Sequence, residues 1–281
     1  MTIHFDRSCK VLTFIGTTPN IGTTLIALAA SVRIAERTGK RIAYLCLNLK
    51  SSKLHRYVGI NEPHASLDEL LPLLRNESLS QEQLLHAMHR YHNSMELYIL
   101  FGNRYRETAE YYGVEELTHL IDTARKAYDY VLLDVNAYWD NAGTISALLE
   151  TEEIVLTTTE ALSHFQEDYI AWAGMMGQHI QLSSKRLYHS VIKHRGGLFR
   201  SRDCKHQLPG EALPEVAIPP TLYEALDRGE LKQWLLSGDG SKWISHYSKV
   251  LVPELLMEKV KPKGYRLRWL HTFTAGLTKT K

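Results

Sequence analysis

The chain has 281 residues, of which 44% are hydrophobic and 23% charged, the composition of a soluble globular protein long enough for one large α/β domain or two small ones. A formal net charge of +2 argues against a nucleic-acid binder that works through overall charge, so any basic function must be local. Cys9, Cys46 and Cys204 are odd in number, far apart and without metal-type spacing, which fits a reducing cytosol better than a disulfide framework.

The opening MTIHFDRSCK is polar and lacks the apolar core of a signal peptide, and no apolar run approaches the roughly 20 residues of a membrane span. A cytoplasmic location is therefore expected. Residues 11–15 (VLTFI) form an apolar, β-branched and aromatic run that predicts a buried strand. Residues 16–24 (GTTPNIGTT) cannot continue that strand, and residues 25–35 are rich in Ala, Leu and Ile at helical spacing. A small-residue loop opening a helix aims several backbone N–H groups and the positive end of the helix dipole at one point, which suits a phosphate. An ordinary strand-to-helix turn is the alternative. The P-loop pattern asks for a Lys directly after its last Gly, then a Ser or Thr whose hydroxyl meets magnesium. Gly22 and Thr24 are in place, but Thr23 stands where the Lys belongs. Charge-assisted bonds are roughly twice as strong as neutral ones, so nucleotide binding by Asn20, Ile21, Gly22, Thr23 and Thr24 is expected to be weaker than in an intact P-loop.

Residues 38–40 (TGK) read as a helix stop and residues 41–49 (RIAYLCLNL) as a second strand. Strand, helix and strand in this rhythm predict a right-handed crossover and a parallel sheet. Ser66 and Glu69 form a capping box, residues 81–91 read as a helix, and residues 96–102 as a third strand ending at a glycine. His86, His89 and His92 recur every three residues near the end of that helix. Such spacing drifts around a helix and no Cys or carboxylate completes the set, so an exposed face is the better reading than a metal site. Residues 114–127 carry a stripe of Val114, Leu117, Leu120, Ile121 and Ala124 that should cover the sheet. Residues 128–135 (YDYVLLDV) are a strand with Asp134 at its carboxyl end. Ligands of open parallel sheets sit outside those ends, so Asp134 is placed to hold magnesium directly or through water, as a Walker B carboxylate does. Capping of the next loop is the other reading of Asp134.

Further strands are predicted at residues 153–159, 187–193 and 215–220, and helices at residues 163–176, 221–229 and, amphipathic, 243–260. Residues 198–207 form a basic stretch with Arg200, Arg202, Lys205 and His206. The tail, residues 259–281, carries Lys259, Lys261, Lys263, Arg266, Arg268, Lys279 and Lys281 without an acidic residue, interleaved with Tyr265, Trp269 and Phe273. Such cations with aromatics suit an anionic membrane surface; a solvated tail packing its Trp on the body and nucleic acid are left open by the same residues. The whole reads as one α/β domain over residues 1–258, a mainly parallel central sheet flanked by helices, followed by the tail.

In this order the elements resemble the deviant P-loop ATPases of the MinD/ParA class, most closely their CpaE/TadZ branch, which acts in pilus assembly and localisation. Residues 19–24 (PNIGTT) lie where that branch has Gly-Gly-Val-Gly-Thr-Thr, and residues 46–50 (CLNLK) where the family has Asp-Leu-Asp-Leu-Gln. Residues 64–70 (HASLDEL) follow at similar spacing. Residues 128–134 resemble the Walker B strand, with Thr144 where a switch II threonine is common, and residues 216–229 resemble the family's closing stretch.

The resemblance implies ATP or ADP with Mg2+ as cofactor, metal contact through Thr24 and Asp134, a homodimer across the nucleotide face, and partners in a membrane-associated pilus or secretion machine. Its departures imply a degenerate, weakened or vestigial site. The family's signature Lys would fall at Thr18, both switch I carboxylates are replaced, by Cys46 and Asn48, and Lys193 or His194 stands where relatives often place an adenine-contacting Asn. Loss of such groups costs orders of magnitude in phosphoryl transfer, so hydrolysis is expected to be absent or very slow. A structural interaction protein with a vestigial site, and a partition-type protein contacting DNA through the basic stretch or the tail, are the rival readings.

Overall fold

The computed structural model describes residues 9–193, residue 204 and residues 207–252. The expectations placed on His194, on Arg200, Arg202, Lys205 and His206, and on the tail lie outside the described residues.

In chain order the elements are β1 (Lys10–Gly16), α1 (Thr23–Thr38), β2 (Ile42–Cys46), α2 (Leu54–Tyr57), α3 (Leu67–Arg75), α4 (Gln81–Ala87), β3 (His89–Arg90), β4 (Leu97–Leu100), α5 (Val114–Ala127), β5 (Tyr130–Asp134), α6 (Ala142–Glu150), β6 (Glu153–Thr159), α7 (Tyr169–Met176), β7 (Arg186–Lys193), β8 (Glu211–Ala212), β9 (Val216–Ala217), α8 (Pro220–Arg228), α9 (Leu231–Leu236), α10 (Gly238–Trp243) and α11 (Ser245–Leu251). The strands form one sheet in the order β3-β4-β2-β5-β1-β6-β7-β8, with β9 also on β7. Every pairing is parallel except β3 with β4.

A parallel sheet covered on both faces demands strands that are apolar throughout, and β2 and β5 are buried along their whole length. Alternation divides their side chains between two cores. Leu12, Phe14, Tyr44 and Leu132 pack with α1 and the carboxyl-terminal helices. Val11, Ile15, Ala43, Leu45 and Leu133 pack with α3 to α6. β1 lies at the centre, between β5 and β6, so the segment leaving its carboxyl end is held from both sides.

Three local expectations are corrected. The helix expected over residues 81–91 stops at Ala87, because His89 and Arg90 pair with Ile99 and Tyr98 on β4. The open edge of β4 offers those backbone groups partners that another helical turn cannot. His86, His89 and His92 therefore share no helix face, and the His89 ring lies 5.9 Å from that of Phe101. The expected start of α7 is a wider π-type turn over Ser163–Asp168. The last amphipathic helix is broken at Ile244, where φ is −111° and ψ 7°, and its expected part beyond residue 252 lies outside the described residues. The capping box is present: the Ser66 hydroxyl accepts from Asp68 N, and Ser66 N donates to Glu69 Oε2 at 2.6 Å. Helices α6 and α9, short and weakly patterned, were not expected.

Candidate functional site

The loop between β1 and α1 is tied to β6: Thr17 N donates to Thr157 O at 2.9 Å and Thr17 Oγ1 to Thr158 Oγ1 at 3.0 Å. It then turns through two left-handed residues, Asn20 at φ 61° and Gly22 at φ 98°. At Gly22 a side chain would be strained whatever the space around it. Gly22 is the residue before α1, no side chain caps the helix there, and the first turn carries no acidic residue. The opening N–H groups of a helix have no intrahelical partner, and they open here into a cavity of about 440 Å3 lined by Thr18, Asn20, Gly22, Thr23 and Thr24. Ile21 is buried, 4% exposed, and its side chain does not line that cavity.

Beneath the loop, Thr24 Oγ1 donates to Asp134 Oδ1 at 3.2 Å. Asp134, 1% exposed at the end of β5, also receives the Cys46 thiol, with Sγ 3.6 Å from Oδ2. Burial pushes the Asp134 carboxyl up to about 6, with hydrogen bonds from Tyr44, Thr24 and Cys46 acting in the opposite direction. Asp134 does not cap the next helix, α6, whose cap is Asn141, accepting from Thr144 N at 3.1 Å. Burial pushes the Cys46 thiol up to about 12, reinforced by the Asp134 charge, so the group on the β2 side is neutral. Thr23 Oγ1 lies 2.6 Å from Thr157 Oγ1, turned onto β6.

Asn48 lines the cavity, and its Oδ1 accepts from Lys50 N at 3.0 Å. Thr144 is buried at the start of α6 and is not on the cavity wall. Lys193 is also away from it, held by Glu215 at 2.5 Å and Glu160 at 3.8 Å.

Sequence reasoning assigned no role to the cations of the opposite wall. Lys50, Lys53 and Arg106 line the cavity, and among the described residues no Asp or Glu does. Lys50 was open to notice, since it ends the run of residues 46–50. Lys53 and Arg106 reach the cavity only through the folding of two separate loops. Tyr57, Tyr223 and Leu231 add apolar surface.

Among the described residues no group of three or more His, Cys, Asp or Glu side chains could hold a metal ion by itself. A magnesium ion carried in by a polyphosphate needs less, usually one or two carboxylates with phosphate and water oxygens. The Thr24 hydroxyl, on the cavity wall, and the Asp134 carboxyl, buried behind it and not itself on the wall, are oxygen donors of that kind, and an uncapped helix start with no acid among the described lining residues suits the phosphates.

A mostly parallel sheet with β1 at its centre between β5 and β6, flanked by helices, is an architecture shared with solved structures. The fold is that of the MinD/ParA ATPases. The ParA family ATPase from Chlorobium tepidum superposes with a TM-score of 0.74 at 16% identity, over 86% of this chain and 98% of that one. Pyrococcus horikoshii MinD, solved with Mg-ADP, gives 0.70 at 18% identity over 90% and 100% of the two chains. Aquifex aeolicus MinD in its complex with MinC gives 0.70 at 16% identity over 87% and 96%. No protein-family model and no curated protein sequence matches the chain. Across MinD/ParA folds at such identities the shared property is the architecture, and the chemistry rests on the individual side chains. No helix among the described residues is long and apolar enough to cross a membrane.

Proposed function

We propose that this chain is a nucleotide-responsive localisation or assembly factor of the CpaE/TadZ kind, acting as a homodimer with a membrane-associated pilus or secretion machine. The observation that carries the reading is the uncapped start of α1 above the Thr24–Asp134 pair, opening into a cavity that, among the described residues, is walled by cations and no acids. In this reading the backbone of Asn20, Ile21, Gly22 and Thr23 holds phosphates, and Thr24 and Asp134 hold Mg2+. Pyrococcus horikoshii MinD was solved with that kind of ligand, and Aquifex aeolicus MinD with a protein partner. Bound magnesium would neutralise phosphate charge.

The Walker A element is degenerate in this reading, and the site holds nucleotide without turning it over. Thr18 and Thr23 bring no charge, a neutral Cys46 thiol stands by Asp134, and Asn48 offers an amide in place of a carboxylate. Calorimetry with magnesium-ATP and magnesium-ADP tests the binding: the wild-type chain gives saturable heat, and Thr24→Ala with Asp134→Ala abolishes its magnesium-dependent part. Phosphate release at the background rate over hours accompanies it. No heat with either nucleotide sinks the proposal.

One observation favours a second reading, an interaction protein with a vestigial site. Both Asp134 oxygens are already engaged, and Thr23 is turned away onto Thr157. Thermal melts separate the two, because a ligand at a hundred times its Kd adds about 2.7 kcal/mol of stability. The tail of residues 259–281 is proposed to hold the chain at an anionic membrane from the cytoplasmic side, with DNA as the less favoured partner of the same charges. Sedimentation with anionic vesicles, against gel shifts at low salt, distinguishes these.

A further inference from the structure

A polyphosphate brings several negative charges, whereas the start of α1 offers about half a positive charge and the loop no Lys at all. The compensating charge on this cavity comes from its other wall, where Lys50, Lys53 and Arg106 stand. None of the three forms an ion pair with an acidic side chain among the described residues. Arg33, Arg90, Arg104, Arg125, Arg186 and Lys193, by contrast, are all paired.

The backbone carrying the two lysines is held in place. Ser52 N donates to Asn103 O at 3.0 Å, Asn103 Nδ2 donates to Leu49 O at 2.8 Å, and Ser51 Oγ donates to Arg104 O at 3.0 Å. Asn103 is fully buried. Gly102 lets the strands close over the loop, since a Cβ there would sit 2.9 Å from Ser52 Cβ and 3.0 Å from Cys46 O. The side chains are partly steered too: Lys53 Nζ donates to Ser51 Oγ at 2.9 Å, and Lys50 Nζ stands 5.9 Å from the centre of the Tyr138 ring. Charges fixed in advance lose little freedom on meeting a ligand, which is what makes them effective.

We propose that Lys50 and Lys53, supported by Arg106, take over the phosphate-neutralising role of the absent loop lysine, so that the site selects its ligand by polyphosphate charge. This rests on the nucleotide reading above and adds to it a residue assignment and an order of preference: nucleoside triphosphate, then diphosphate, then monophosphate. Inorganic tripolyphosphate is expected to compete.

The test is fluorescence anisotropy with N-methylanthraniloyl-ATP on the full chain, at several salt concentrations, with tripolyphosphate as competitor. Lys50→Met and Lys53→Met are each expected to weaken binding about tenfold, the loss of one charge-assisted bond, and to flatten the salt dependence. The double variant loses about a hundredfold if the two contacts are independent. Lys50→Arg and Lys53→Arg restore most of the affinity, and Lys126→Met on the exposed face of α5 changes nothing. Tight wild-type binding that both Met variants retain within twofold, with the same salt slope, overturns this assignment and leaves the nucleotide reading standing. A wild-type chain that binds no nucleotide overturns both.

Discussion

Asp134 concentrates the conflict between stability and use in one side chain. Its carboxyl is raised from the ordinary 3.8 to about 6 by burial. Between those values the folded chain binds more protons than the unfolded one, so this group's contribution to stability falls as pH rises through the window and stays lost above it. A shift of that size corresponds to about 3 kcal/mol as an upper figure. Asp134→Asn keeps the acceptor for Thr24 Oγ1 and removes the charge. It is therefore expected to stabilise the ligand-free chain at pH 8 by up to about 2 kcal/mol, with little effect at pH 4. Urea unfolding of both proteins at the two pH values measures this, and an equal difference at both would contradict it. A residue that is costly when empty fits a group retained for a cation that arrives with a ligand.

At the scale of elements, the cavity wall depends on close backbone contact more than on helix propensity. Gly102→Ala drives a methyl against Ser52 Cβ, Cys46 O and Asn48 O at 2.9 to 3.1 Å, an overpacking expected to cost about 1–3 kcal/mol. Because Asn48 and Ser52 belong to the loop bearing Lys50 and Lys53, nucleotide affinity should fall further than stability alone requires. Chemical unfolding and ligand titration of the same variant report the two effects. The cap of α3 has similar reach. Asp68, whose N–H bonds the Ser66 hydroxyl, accepts from Arg104 N at 2.7 Å and Thr108 Oγ1 at 3.0 Å, which ties α3 to the segment adjoining Asn103. Ser66→Ala is expected to cost about 1–2 kcal/mol and Ser80→Ala, at the exposed cap of α4, nearer 0.5 kcal/mol. Equal costs in parallel urea melts would remove the special weight given to Ser66.

For the whole molecule, turnover is a property of several elements acting together. β1 supplies the loop, β2 the segment after Cys46, and β5 the Asp, and the sheet order brings their carboxyl ends side by side. On the proposed reading of a site that holds nucleotide without turning it over, adding one charged group should not by itself confer turnover. Thr23→Lys is expected to tighten nucleotide binding about tenfold through one charge-assisted bond, while phosphate release stays at background because Cys46 and Asn48 remain uncharged. Rapid turnover in that single variant would show that the loop lysine alone had been limiting.

Much of this architecture is legible in the residues alone. Continuous apolar runs such as VLTFI and YVLLD specify buried parallel strands, since only a sheet covered on both faces accommodates them. The small-residue loop before α1 and the carboxyl end of β5 mark the crevice for the same local reason, although it is Val135 to Tyr138 that line it and Asp134 lies buried behind them. Local pattern failed where elements compete for partners: His89 and Arg90 join an edge strand, although their helical spacing predicted otherwise, because β4 offers them backbone bonds. Nor could it find Lys53 and Arg106 on the cavity wall. Their loops are more than fifty residues apart in the chain and meet through Asn103, and side chains brought together by the fold leave no periodicity to read. The sequence by itself determined the sheet, the crevice and the missing loop charge, because these follow from local composition. Only the tertiary structure decided which cations stand on the cavity wall, because that depends on which distant segments are packed against each other.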